Sequence, residues 1–186
     1  MRLMIASDIH GSAFYLTRLL ERLAEEQADR LVLLGDVLYH GPRNDLPDGY
    51  APKQAIDMLN PLADRILCVR GNCDTEVDQM VLAFPMMADY GFILDGDQAI
   101  YLTHGHIYNE NHLPPVRSGD AVLYGHTHIP EMHTSGGVTF ANPGSVSIPK
   151  NSSTRGYLIY ENGRLVRKSL DGNTEWDRPI HEGGTT

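Results

Sequence analysis

Apolar residues recur along the chain with two periods that split it into halves. Arg2 to Ala6 is an apolar run of strand length, and from Ala13 to Gln27 the leucines at 16, 19, 20 and 23 form one helical face, with Arg18, Glu21, Arg22, Glu25 and Glu26 opposite. Arg30 to Leu34 predicts a second strand, Ala51 to Leu62 a second helix with Pro52 in its first turn, and Arg65 to Arg70 a third strand. Strand and helix alternate, which predicts a parallel sheet with right-handed crossovers. Glu76 to Phe84 is a short helical stretch. Beyond it, two apolar runs flank Asp95-Gly96 as a hairpin, and Asp120–Tyr124, Gly137–Ala141, Gly156–Tyr160 and Leu165–Leu170 read as further strands. The expected fold is α/β: two mixed β-sheets packed as a sandwich and flanked by helices. Residues 1–170 are expected to form one domain and residues 171–186, rich in Gly, Thr and charge, a polar tail.

Between Tyr39 and Pro52 neither period holds, and three Pro, two Gly, two Asp and an Asn mark a long loop. It follows a strand end directly, so it is expected over the site end of the sheet as a lid or specificity element, with His40, Arg43, Asn44 and Tyr50 as candidate substrate contacts.

Composition narrows the chemistry. The 186 residues are 41% hydrophobic, enough for a sizeable core, and the formal charge of −9 argues against gripping a nucleic acid polymer by its backbone. No stretch reaches membrane-spanning length and no leader is evident, which points to the cytoplasm. Cys68 and Cys73 fit neither zinc-finger nor redox spacing and are expected as free thiols. Exposed sheet edges leave a homo-oligomer open.

The strand ends carry the signal. In order they read Asp8-x-His10, Gly35-Asp36, Gly71-Asn72, His104-Gly105 and Gly125-His126-Thr127-His128. Strand carboxyl ends are where such folds build sites, and a glycine near each lets backbone and side chains crowd one centre. Two carboxylates, an amide oxygen and four imidazoles suit manganese, iron, cobalt, nickel or zinc. Seven ligands exceed what one tetrahedral ion takes and fit two ions sharing a carboxylate.

This order resembles the calcineurin-like metallophosphoesterases, from Asp8 to His128 and on through Asn142-Pro143-Gly144-Ser145-Val146. The stretches ASDIHGS, GDVLYHGPRN, RGNCD and NPGSVSIPK are most similar to a bacterial phosphodiesterase branch of that family. The resemblance implies that Asp8, His10 and His128 hold one ion, that Asn72, His104 and His126 hold the other, and that Asp36 bridges them. It leans towards manganese. It also implies in-line attack on a small phosphodiester by a hydroxide bridging two ions about 3.5–4 Å apart.

One position departs from the family pattern. Many members carry His directly after the asparagine as proton donor or phosphate contact, whereas this chain has Cys73, followed by Asp74, which usually orients that His. A thiol with a pKa of roughly 8.5 donates poorly, so activated leaving groups are expected to be preferred. His106 stands two residues past His104 as a further phosphate contact, a support to the ligands or a surface residue; His40, His112, His133 and His181 otherwise read as surface. The same centre would serve a phosphomonoesterase or nucleotide pyrophosphohydrolase, the pocket formed by Tyr39–Pro52 and His112–Arg117 choosing between them. A non-catalytic protein-binding scaffold would show eroded ligands, and all seven are present.

Overall fold

The first βαβ unit frames the molecule, whose computed structural model describes residues 1–180. Strand β1 (Leu3–Ala6) passes into helix α1 (Ala13–Glu25) and returns as β2 (Arg30–Leu33), parallel to β1 with Leu3 opposite Arg30 and Ala6 opposite Leu33. Ser12 caps α1 by accepting from the Tyr15 N–H at 3.2 Å, satisfying a donor the helix itself cannot. The next crossover carries α2 (Pro52–Leu59) to β3 (Ile66–Cys68), parallel to β2. Helix α2 stops short of Leu62 because Pro61 has no N–H to carry the α-helical bonding on; residues Asn60–Arg65 tighten into a 3-10 turn.

After α3 (Glu76–Val81) come β4 (Tyr90–Asp95), β5 (Gln98–Thr103), β6 (Ala121–Leu123), β7 (Pro130–Ser135), β8 (Val138–Pro143), β9 (Gly156–Glu161), β10 (Arg164–Ser169) and β11 (Thr174–Pro179). Asp95 pairs with Gln98, so the hairpin loop is Gly96-Asp97, one residue later than expected, with Gly96 at φ +61°. The sheets run β11-β10-β9-β1-β2-β3 and β4-β5-β6-β8-β7. Two strands escaped the pattern. Strand β7 is half-buried and polar, and β11 lies inside the stretch expected as a tail, antiparallel to β10 with Leu165 opposite Arg178. Residues 181–186, including His181, lie outside the described chain.

Leu3, Ile5, Val32 and Leu34 from the first sheet meet Ile100, Leu102, Ala121, Leu123 and Ala141 from the second, forming the core of the sandwich. On the other face of the first sheet, Met4, Leu31 and Leu33 pack against Leu16, Leu19 and Leu23 of α1 and Ala55 and Leu59 of α2. The outer face of the second sheet, around Tyr101, Val122 and Phe140, draws on no helix among the described residues; Tyr90, Val116 and Tyr124 pack there instead. The flanking helices thus lie on one side. Strands β1, β2 and β3 in one sheet and β5, β6 and β8 in the other are parallel, so their carboxyl ends collect at one rim.

Candidate metal centre

At that rim the backbone leaves the ordinary regions of conformational space. Asp8 (φ 58°), His10 (49°), Asp36 (55°), His126 (65°) and His128 (62°) all adopt the left-handed conformation that L-residues avoid. Such strain persists only where surrounding structure over-determines it, and here it turns each side chain back over its own strand end. Ser145 Oγ and Ser147 Oγ both donate to the Asp8 carbonyl, at 2.8 and 3.1 Å, and Asn142 Nδ2 donates to the Gly125 carbonyl at 2.8 Å. The Asn142–Ser147 segment is therefore the brace for two of these bends.

Three imidazoles share one construction. His10 donates Nδ1–H to the Tyr39 carbonyl at 2.7 Å, His104 to the Leu34 carbonyl at 2.7 Å and His128 to the Ile148 carbonyl at 2.6 Å. Each bond fixes the tautomer and aims the Nε2 lone pair inward, the arrangement metal-ligating histidines use. His126 differs: its Nδ1 faces Asn72 Oδ1 at 2.7 Å, and His104 Nε2 faces the same oxygen at 3.0 Å.

The carboxylates sit between the rings. Asp8 Oδ1 is buried without a hydrogen-bond partner, 3.2 Å from His128 Nε2 and 3.6 Å from His10 Nε2. A buried carboxylate oxygen facing imidazole lone pairs is costly unless a positive charge joins it, so the donor set fits a cation. Asp36 Oδ1 accepts the Cys73 N–H at 2.8 Å, leaving Oδ2 3.7 Å from His10 Nε2 and 3.5 Å from His104 Nε2. Ligand atoms of Asp8, His10 and His128 lie within 4.8 Å of one another, as do those of Asp8, Asp36 and His104, and of His10, Asp36 and Cys73.

The field within the cluster shows the same demand for positive charge. Burial would raise Asp8, but the adjacent His10 and His128 rings hold it well below the ordinary carboxylate value. Burial would lower His104, yet the Asp36 carboxylate 3.5 Å away and the nearby Asp8 charge push it up to about 9. Burial and the neighbouring His104 and His126 charges take His106 down to about 4, so that ring is neutral. It packs edge-on against His104 at 5.3 Å.

Cys73 and Asp74 part company. Asp74 does not face the site: its carboxylate accepts the backbone N–H of Asp36 (2.8 Å), Val37 (2.9 Å) and Gly71 (2.7 Å), clamping the loops after β2 and β3 together. Burial first, then the Asp36 carboxylate, push the Cys73 thiol up to about 12, so it stays neutral. Both cysteines are free.

A cavity of about 480 Å³ opens above the cluster, lined by Asp36, Asn72, Cys73, His126 and His128, with Gly41–Asn44, Thr127 and Lys150 as its walls. Arg43 and Asn44, two of the candidate substrate contacts, are thus among its walls. His40 does not line it; its ring sits edge-on to Tyr39 and Tyr50. His112–Arg117 also lie elsewhere, with the Pro115 carbonyl bonded to Tyr101 on the outer sheet face. Lys150 and Thr127 were missed. Thr127 sits inside the Gly-His-Thr-His stretch, and Lys150 closes the segment begun by Asn142, so position after a strand end was the available signal.

Residues 1–163 match the calcineurin-like phosphoesterase superfamily domain. The chain is 49% identical to phosphodiesterase YfcE of Escherichia coli K12 over 165 residues, 89% of this chain and 90% of that protein. The solved structure of E. coli YfcE, a phosphoesterase, overlays with a TM-score of 0.94 at 46% identity, covering 97% of this chain and all of that one (100%). The probable metallophosphoesterase YsnB of Bacillus subtilis is 25% identical over 166 residues, 86% of this chain and 83% of that one. With its ligand-type residues gathered at one rim and a full-length likeness of sequence and structure, the chain belongs to the calcineurin-like phosphoesterase superfamily and is a metal-dependent hydrolase of phosphoester bonds.

Proposed function

We propose that the protein is a dinuclear phosphodiesterase acting on small phosphodiesters. The observation that carries this reading is Asp36 Oδ2, poised between His10 Nε2 at 3.7 Å and His104 Nε2 at 3.5 Å, with one oxygen in reach of two ligand groups. Asp8, His10 and His128 would hold one ion, Asn72, His104 and His126 the other, and Asp36 both. Mixed oxygen and imidazole donors suit manganese, with zinc, iron, cobalt and nickel as competitors. Two such ions would polarise the phosphoryl oxygens and supply a strong oxygen nucleophile at neutral pH. The 49% identical YfcE is named a phosphodiesterase, which favours diesters over monoesters and pyrophosphates.

The chain's own groups set the rest of the chemistry. Backbone carbonyls of Tyr39, Leu34 and Ile148 keep three imidazoles in one tautomer, and the Cys73 N–H holds Asp36 in place. Cys73, neutral and beside Asn72, offers a weak proton donor at the leaving side, so acidic leaving groups react best. The free thiols suit work in the cytosol.

Metal-stripped protein re-supplied with manganese should hydrolyse bis-p-nitrophenyl phosphate faster than p-nitrophenyl phosphate. Asp36→Asn should lower the diester rate by 10³-fold or more while the chain keeps its circular dichroism. Diester turnover that is independent of metal, or survives in Asp36→Asn, would falsify the proposal.

A further inference from the structure

Most of the chain's cations are already engaged. Of its fifteen arginines and lysines, eleven hold an ion pair, a side-chain hydrogen bond or an aromatic ring among the described residues. The four that do not are Arg43, Lys53, Arg117 and Lys150. Lys53 and Arg117 line other hollows, but Arg43 and Lys150 both wall the cavity above the ligand cluster, one from each sheet's loops. An exposed Lys or Arg is ordinarily just solvated. What sets these two apart is their shared cavity, whose lining holds no acidic side chain except Asp36.

Their roots are fixed as well. The Lys150 N–H donates to the carbonyl of His128 at 3.2 Å, and Ser153 Oγ donates to the Lys150 carbonyl at 2.7 Å. Asn44 Nδ2 donates to the His40 carbonyl at 2.8 Å, closing the turn that carries Arg43. Lys150 therefore starts from backbone tied to a ligand residue, and Arg43 from a turn closed by its own neighbours.

We propose that Arg43 and Lys150 form a subsite for a second anionic group, so that the preferred substrate is a phosphodiester bearing a further phosphate on one arm. This rests on the phosphodiesterase reading. Two divalent ions set against Asp8 and Asp36 would already be balanced by one singly charged diester and one hydroxide. Arg43 and Lys150 are surplus to the scissile group, and a terminal phosphate, with close to two negative charges at neutral pH, matches them.

The test uses the thymidine dinucleotide TpT, its 5′-phosphorylated form and its 3′-phosphorylated form. Each is measured as an inhibitor of bis-p-nitrophenyl phosphate hydrolysis and by calorimetric titration of the manganese-loaded protein. One phosphorylated form should bind at least tenfold more tightly than TpT, and the gain should shrink as salt is raised. Arg43→Gln with Lys150→Gln should bring that ratio to within twofold of one, while Arg43→Lys with Lys150→Arg should keep most of it. Equal affinity for all three ligands in the wild type overturns the proposal, as does a gain that survives the double Gln variant or is lost in the charge-preserving one. The two readings fail separately: absent turnover of bis-p-nitrophenyl phosphate strikes the diesterase reading, and the calorimetric ratio still decides the subsite.

Discussion

At position 73 the chain places a neutral thiol directly after Asn72 and on the cavity wall. Burial and the Asp36 carboxylate keep that thiol protonated far above neutral pH, and Asn72 Nδ2 lies 3.3 Å from its sulfur. Cys73→His should therefore raise kcat for poorly activated diesters by about tenfold or more and leave the nitrophenyl esters nearly unchanged. Steady-state rates across a leaving-group series decide it, since a uniform change at every leaving group would show that proton donation is not involved. Asp74 has the opposite character. Asp74→Asn would set an NH2 group against the Val37 N–H and cost about 1–3 kcal/mol, lowering the thermal midpoint by several degrees. A melting curve superimposable on the wild type would count against the clamp. The identity of Asp74 was legible from the sequence, but its task was not, because a carboxylate facing backbone N–H groups and one facing an imidazole look alike in a string of letters.

The ligand-bearing elements meet because their glycines let them. A methyl at Gly71 would overlap the backbone N and Oδ1 of Asp36, and one at Gly125 would overlap Ser7 Oγ and lie 2.9 Å from Asp8 Oδ2. Gly125→Ala should consequently lower the metal bound per chain in elemental analysis. Gly96→Ala in the hairpin turn, which strains the backbone at φ +61° but adds its methyl to open space, serves as the control for strain and should keep full occupancy. Strand ends were readable in the sequence since apolar runs stop abruptly at ligand-type residues. Strands β7 and β11 were not: Pro130–Ser135 and Thr174–Pro179 sit at sheet edges with mostly polar, part-exposed side chains, and only Met132 and Trp176 reach the core between the sheets. The one-sided helices were hidden for a similar reason, as the apolar face around Phe140 says that a cover exists but not that Val116 and Tyr90 provide it.

Across the whole molecule, the helical layer is tied to the sheet by one carboxylate. Glu26, next after α1, pairs with Arg2 at 2.6 Å and Lys168 at 2.5 Å and accepts from Tyr157 OH at 3.1 Å, joining the start of the chain to β9 and β10. Burial would raise its pKa, but the bonds from Lys168 and Arg2 lower it. With the folded value depressed, this stabilisation is full above the unfolded value of about 4.3 and is lost as pH falls through the folded one. Glu26→Gln should cost about 1–3 kcal/mol at pH 7 and progressively less below pH 4. Denaturant titrations at pH 7, 5 and 3 test this, and a pH-independent difference would refute it. The imidazole anchors bear on how such a molecule acquires new substrates. The long loop is stapled at Tyr39, whose carbonyl steers His10, and again at Asp48 and Gly49, which bond Ser12 and Ala13 at the head of α1. Between those staples, the exposed or part-exposed stretch Pro42 to Leu46 forms an exchangeable cassette: evolution or a designer can recut it to suit a new ester while the bonds that hold the ligand rings stay in place.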